Sequence, residues 1–356
     1  MWVKVIFPNI AQHYCTILHC NMAAQKNNSK LTTHGMGCLD QLTQTRNVSD
    51  SEPLQILVKK SSKYIGPPQI TNCYFMCSSP RGQALIINNE SFDEIRVGDG
   101  KKHRKGSKVD GNNLQQLFHE LGFNVDLQRN LTRNQMANSI NSFANSENHI
   151  KSNMAILAIL SHGSDGILYG VDNGPLYIED ITEQLNNENC IHLRGKPKFF
   201  IFQGCRGLRR DYGTPTQEFI PSLDNDPYLI NKRTENDAKG FNAPRRAELR
   251  SPTVEDMLIA WSTIPGYVAN RNTIKGSWFV ECICRVFMRC AATMDIRDML
   301  DKVSMEMRNY EDENGMKQTC SYEVRHFYRK VYLNPGIDMQ QIRSNEGTSR
   351  NKSCHI

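Results

Sequence analysis

An α/β fold with a central, mostly parallel sheet flanked by helices is what this chain predicts, on three observations. From Ala84 onward, short apolar runs of strand length alternate with stretches of helical apolar spacing. A cysteine, Cys205, stands just past one such run (Phe199 to Gln203), and a histidine, His162, just past another (Met154 to Leu160). Strands joined by crossover helices point the same way, so residues just beyond their C-terminal ends converge on one edge of the sheet. A thiol and an imidazole placed there suggest a nucleophile and its base.

The elements follow in order. Ala84-Leu85-Ile86-Ile87-Asn88 reads as a buried strand, and Leu114, Leu117, Phe118 and Leu121 repeat at helical spacing over Asn113 to Leu121. Phe123 to Leu127 reads as a second strand. Thr132-x-x-Gln135 has the capping-box pattern and starts a helix running through Asn145. The histidine strand comes next, then a hairpin around Gly166 to Gly170, a helix near Ile178 to Leu185, and the cysteine strand. Between Asp211 and about Asp256, five prolines and no sustained apolar period mark a linker or long loop. Beyond it are a strand (Met257 to Trp261), amphipathic helices from Ser277 to about Cys290 and from Ile296 to about Met307, and a β-rich close from Tyr322 to Leu333. Residues 1–75 are rich in Asn, Gln, Ser and Thr, a composition that struggles to offset the entropy of ordering, and are expected to be disordered.

Composition narrows the function classes. No run approaches the ~18 apolar residues of a membrane helix, and Lys4 and Pro8 break the opening too early for a signal peptide, so a soluble protein of the cytoplasm is expected. The sequons at Asn27, Asn47, Asn89 and Asn130 then carry little weight. The twelve cysteines are scattered and many lie in apolar surroundings, which favours reduced thiols. Cys73-x3-Cys77 and Cys282-x-Cys284 lack a second pair at zinc-ligand spacing, so no metal is expected. The net charge of +6 is modest, and the basic cluster Lys101 to Lys105 has no interleaved aromatics, so nucleic acid is not an expected partner, and neither is a membrane.

A cysteine attacks as thiolate and needs a neighbouring base or positive environment at neutral pH. An isolated Cys and His would more often be a small core residue and a satisfied turn residue. Here the flanking residues reverse those odds. Gln203-Gly204-Cys205-Arg206-Gly207 differs by one residue from the caspase signature Q-A-C-[RQG]-G. With Ser161-His162-Gly163 upstream, the chain resembles the caspase family from about Tyr74 to Pro335, except through the linker. The resemblance implies a caspase-like α/β sandwich that needs no cofactor. It implies Cys205 as nucleophile, His162 as proton carrier, and the backbone N–H groups of Gly163 and Cys205 as oxyanion hole.

The resemblance also implies cleavage after aspartate, through Arg104 in Arg104-x-Gly106-Ser107-x-x-Asp110, Gln203, and Arg271 within Pro265-Gly266-Tyr267-x-x-x-Arg271-Asn272. Guanidinium forks suit a carboxylate, each charged hydrogen bond contributing ~1.5–3 kcal/mol. Read alone, each arginine is one more solvated cation. Trp278, read alone, is more often core; the resemblance implies that it and Asn272 wall an outer subsite. Two departures stand out. Gly204 replaces the usual alanine, which adds backbone freedom where an oxyanion hole needs fixed geometry. Val268-Ala269-Asn270 replaces aromatic and serine-tryptophan residues, leaving less aromatic surface for the second substrate residue.

By this resemblance residues 1–75 form a prodomain, 76–224 a large-subunit region, 225–250 an intersubunit linker, 251–337 a small-subunit region and 338–356 a tail. Processing is expected at Asp224, Asp226, Glu235 or Asp237. A homodimer of large and small subunits is expected, formed along the segment Val324 to Leu333. Protein substrates with exposed Asp sites are expected partners, together with adaptor or inhibitor proteins. The long loop and Pro-Gly-Tyr-Val look more like initiator members, though residues 1–75 are short and polar for a recruitment domain. Two functions follow: an aspartate-directed cysteine endopeptidase of apoptosis or a related cascade, or a non-enzymatic caspase-like regulator that restrains an active partner.

Overall fold

The computed structural model describes residues 54–93, 103–214 and 251–338 of the chain. Its centre is a six-stranded sheet in the order β13-β9-β7-β3-β1-β2. These strands are β1 (Gly82–Asn88), β2 (Asn124–Arg129), β3 (Met154–Leu160), β7 (Lys198–Gln203), β9 (Met257–Trp261) and β13 (Ser321–Arg325). The first five run parallel, and β13 joins β9 antiparallel at one edge.

Alternation along the strands explains the layers. Ala84 and Ile86, Ile156 and Ala158, Phe199 and Ile201, and Leu258 and Ala260 point to one face. There they meet α1 (Ser107–Glu120), α4 (Trp278–Cys290) and α5 (Ile296–Met307). Leu85 and Ile87, Leu157 and Ile159, Phe200 and Phe202, and Ile259 point to the other face, covered by α2 (Arg133–Ala144) and α3 (Ile178–Gln184). Strands β1, β3, β7 and β9 are buried along their whole length, which is why they read as continuous apolar runs. Each fully buried large apolar side chain contributes ~1.5–3 kcal/mol relative to exposure.

Local signals set the ends. Thr132 caps α2 in a reciprocal box, its hydroxyl accepting from Gln135 N–H and the Gln135 side chain accepting from Thr132 N–H at 2.9 Å. Asp295 caps α5 by accepting from Arg297 N–H at 3.1 Å. A three-stranded hairpin array, β4 (Gly163–Ser164), β5 (Ile167–Tyr169) and β6 (Pro175–Tyr177), lies directly after β3.

Three sequence readings change. The disordered segment expected over 1–75 does not extend through 54–75, where Ile56, Val58 and Tyr74 are buried in the core. Lys59 N–H donates to Met288 O at 2.9 Å, Ser61 N–H to Pro335 O at 2.8 Å and Tyr74 N–H to Lys330 O at 2.8 Å. The spaced apolar residues each find a slot, and the backbone finds partners, so dilution by polar residues does not prevent ordering. The β-rich close reduces to β13, with isolated bridges at Lys330 and Tyr332 beyond it. The second strand begins one residue later than expected because Phe123, 3% exposed, is an anchor in the core ahead of the ladder. Residues 1–53, the linker 225–250, and Asp224, Asp226, Glu235 and Asp237 lie outside the described residues, as does the tail from 339.

Candidate active site

Sheet register places the two candidate catalytic residues side by side. Asn88 of β1 is level with Leu160 of β3, and Leu160 is level with Gln203 of β7. His162 and Cys205 therefore each stand two residues beyond adjacent, in-register strand ends. Ser161 N–H donates to Gln203 O at 3.0 Å, carrying the pairing one step past the strands. The backbones are close enough that a Cβ on Gly163 would sit 2.8 Å from Cys205 O. One on Gly204 would sit 2.8 Å from Ser161 O and 3.7 Å from Gly163 N. The ring of Phe92 lies 4.6 Å from that of His162, and His162 O accepts from Tyr169 N–H at 3.0 Å, so the imidazole rests on a fixed floor.

Cys205 differs from the other cysteines among the described residues in being partly exposed, where the rest are buried. Burial pushes the Cys282 thiol up to about 12 and the Cys284 thiol well above its ordinary value, which makes both inert packing groups. The Cys205 Sγ accepts from Ala269 N–H at 3.4 Å. That contact ties it to the strand-like segment carrying Arg271.

Arg104 is 1% exposed, and its Nη1 donates to Asn89 O and to Ser107 Oγ, both at 2.7 Å. Its Nη2 is buried with no hydrogen-bond partner, as is Oε1 of Gln203, itself 1% exposed. Burial, and then the neighbouring Arg271 guanidinium, push Arg104 down to about 9, while Asp110 and Cys205 act in the opposite sense. Arg104, Arg271, Asp110 and Cys205 thus share one electrostatic neighbourhood. Two short strands, β8 (Gly207–Arg209) and β10 (Gly266–Tyr267), pair in parallel after Cys205, and Arg271 lies in β11 (Arg271–Asn272), paired with β12 (Gly276–Ser277), with its Nε donating to Lys105 O at 2.8 Å.

The two expected outer-subsite residues, Trp278 and Asn272, lie at the β11–β12 hairpin. Trp278 is 8% exposed and packs in the core with its ring 5.6 Å from that of Tyr310. It is the first residue of the amphipathic helix α4, directly after β12. The Asn272 carboxamide accepts from Ile274 N–H at 2.7 Å and Lys275 N–H at 3.0 Å, so it is engaged in the hairpin turn, a frequent use of Asn.

Sequence reading missed two supporting side chains, Ser262 and Gln318, and gave no role to a third, Asp110, although it stands in the Arg104 motif. Ser262, 1% exposed and just past β9, accepts from Gly204 N–H at 3.2 Å and donates to Gly204 O at 3.0 Å. Gln318 donates to Ser262 O and accepts from Asn270 N–H, each at 2.6 Å, linking the turn before Cys205 to the Arg271 segment. Asp110 is fully buried beside both arginines. Arg206 meets Asp165 at 2.9 Å and lies 4.1 Å over the Trp261 ring, fixing the residue after the nucleophile.

Comparison with known proteins agrees with this geometry. The caspase domain family matches residues 81–332. The chain is 33% identical over 328 residues to cell death protein 3 of Caenorhabditis remanei, covering 87% of this chain and 62% of that protein. It is 29% identical over 365 residues to caspase-2 of Gallus gallus, covering 92% and 82%. It is 34% identical over 236 residues to caspase-3 of Felis catus, covering 66% and 76%. The chain spans less than two thirds of the nematode protein's length. It belongs to the caspase family, a family of cysteine proteases. No helix among the described residues is long and apolar enough to cross a membrane.

Proposed function

We propose that this protein is an aspartate-directed cysteine endopeptidase acting in apoptosis or a related proteolytic cascade. The observation that carries the reading is the in-register placement of His162 and Cys205 beside a buried guanidinium, Arg104, that has an unpaired donor. In this reading Cys205 Sγ gives its proton to His162 and attacks the carbonyl carbon of a substrate aspartate. The oxyanion that forms is held by the N–H groups of Gly163 and Cys205. His162 then protonates the leaving amine, and water, activated by the same imidazole, hydrolyses the thioester.

Specificity follows from the cost of burying charge. An orphaned Arg104 donor in a desolvated cleft is expensive, and a substrate carboxylate offsets that cost as Asn, or a cation, does not. The Gly204 N–H and C=O are both held by Ser262, so the conformational freedom of a glycine at this place is restrained. That favours the enzyme over the regulator.

The precursor is cut in the linker, at Asp224, Asp226, Glu235 or Asp237, into the large and small regions. It works as a homodimer in the cytoplasm, subject to adaptor or inhibitor proteins. The dimer reading is supported by β13, an edge strand among the described residues with Tyr322 and Val324 exposed. The test is a panel of peptide reporters ending in Asp, Glu, Asn or Arg, with wild type and Cys205→Ala. Cleavage after Asp that vanishes in the variant is expected. A processed, dimeric wild type that cleaves nothing would sink the protease assignment in favour of the regulator.

A further inference from the structure

The two pocket arginines come from opposite sides of the linker, so something must hold them in register. Arg104 precedes α1, and Arg271 sits in the β11–β12 hairpin. We propose that Asp110 is a positioning residue that docks this hairpin onto α1 and balances the charge of the two guanidiniums. The inference rests on the reading of this cleft as an aspartate pocket.

Asp110 lies in the first turn of α1 and is fully buried. Its Oδ1 accepts from Ser277 N–H at 2.7 Å, and Ser277 is the ladder partner of Arg271. The carboxylate therefore holds the strand directly opposite the arginine. The fit is close, because a Cβ on Gly276, which has φ +89°, would collide with Asp110 Oδ1. A second close approach joins Gly106 to Asn272 O, and a third runs from Arg271 Nε to Lys105 O. Of these three junctions only Asp110 brings a negative charge.

That charge has a function of its own. The guanidiniums of Arg104 and Arg271 repel one another, and Asp110 attracts both. Two cations and one anion leave a single positive charge, which one substrate carboxylate neutralises. Cys284, from α4, also faces Asp110. Burial pushes Asp110 up to about 6, against the pull of the Ser277 N–H and the two guanidiniums. Its ionisation therefore falls within the range in which such an enzyme works.

The test uses the processed full chain as wild type, Asp110→Asn and Asp110→Ala, with kcat and KM for the Asp and Asn reporters measured from pH 5 to 8. Asp110→Ala is expected to raise KM for the Asp reporter by about tenfold or more, the scale of one charged hydrogen bond, with kcat moved less. Asp110→Asn, whose amide oxygen still accepts from Ser277 N–H, is expected to recover most of that loss. Wild-type KM is expected to fall below about pH 6, where protonation of Asp110 leaves the charge of both guanidiniums to the substrate carboxylate, whereas that of Asp110→Asn stays flat at the wild type's acid value.

If Asp110→Ala does not fold, the pH profile of Asp110→Asn decides alone. A wild-type profile retained in Asp110→Asn, or a KM in Asp110→Ala within about twofold of wild type, overturns the positioning role while the aspartate preference stands. A wild type that does not distinguish Asp from Asn overturns the pocket reading, and this inference with it.

Discussion

Removing one hydroxyl, in Ser262→Ala, tests whether the nucleophile's turn is rigid because of a single side chain. The Ser262 hydroxyl contacts both polar groups of Gly204, accepting from its N–H at 3.2 Å and donating to its C=O at 3.0 Å. The site is buried, so water does not readily replace either bond. A buried polar group left without a partner costs ~1–3 kcal/mol, so the pair predicts a loss of about 2–4 kcal/mol in unfolding free energy. Catalysis should suffer separately. Gly204 immediately precedes Cys205, and a displacement of about 1 Å at a reacting group can cost ~100-fold, so a ~10- to 100-fold fall in kcat is expected with KM for the Asp reporter nearly unchanged. Urea unfolding gives the first quantity, and steady-state kinetics normalised by active-site labelling of Cys205 give the second. A variant with the wild-type unfolding midpoint and the wild-type kcat would refute the reasoning, because it would mean that the turn holds its geometry without the hydroxyl.

Two further predictions concern stability. Arg81, 4% exposed, donates to Met76 O at 2.6 Å, to Asn334 O at 2.9 Å and to Ile337 O, pinning the segment before β1 to the chain's last described turn. Arg81→Ala should therefore cost about 3 kcal/mol or more, read as a lowered urea midpoint. Asp110 also predicts a pH dependence whose sign is unusual for a carboxylate. Its folded value, about 6, lies above its ordinary 3.8, so between these values the folded state holds a proton that the unfolded chain has released. Stability from this group is greatest at low pH and falls as pH rises through that window, by ~3 kcal/mol in all. The unfolding free energy of wild type minus that of Asp110→Asn should fall by this amount between pH 3 and 8; a flat or rising difference would contradict the burial of the charge.

What could be read from the sequence follows from what each signal physically is. Strands Met154–Leu160 and Met257–Trp261 and helix Ile296–Met307 stand where their apolar pattern puts them, because burial of a whole strand or of one helix face leaves a local trace. The segment 54–75 was misread because composition averages over many residues. The alternation Leu54, Ile56, Val58 is short, yet each residue meets the core or packs against it. The adjacency of Cys205 and His162 was legible because each follows a strand-length apolar run and those runs end neighbouring strands, whereas Gln203, Arg104 and Arg271 entered only through the resemblance to caspase motifs. Ser262, Gln318 and Asp110 were not. Each acts through hydrogen bonds to residues dozens to well over a hundred positions away, and a lone Ser, Gln or Asp in sequence carries no mark of such a partner.

The same long-range contacts bear on how a chain cut between its two regions could keep one active site. The part beyond residue 250 is no appended module. It supplies β9 and β13 to the sheet, and α4 and α5 to the core on one face. Strand β9 pairs with β7 from Lys198↔Met257 to Phe202↔Trp261, so the strand ending at the nucleophile is flanked by both regions, with β3 on one side and β9 on the other. Ser262, one residue past β9, then holds the backbone next to Cys205, and Ala269 donates to its sulfur. The Arg271 hairpin returns to α1 through Asp110 and Lys105. Continuity of the covalent chain across 225–250 enters none of these contacts. Scission there would leave the sheet, the core and the cross-links between Ser262, Gly204, Asp110 and Ser277 in place. The contacts that join the two regions are thus independent of an unbroken chain between them, which is what the proposed processing in the linker requires.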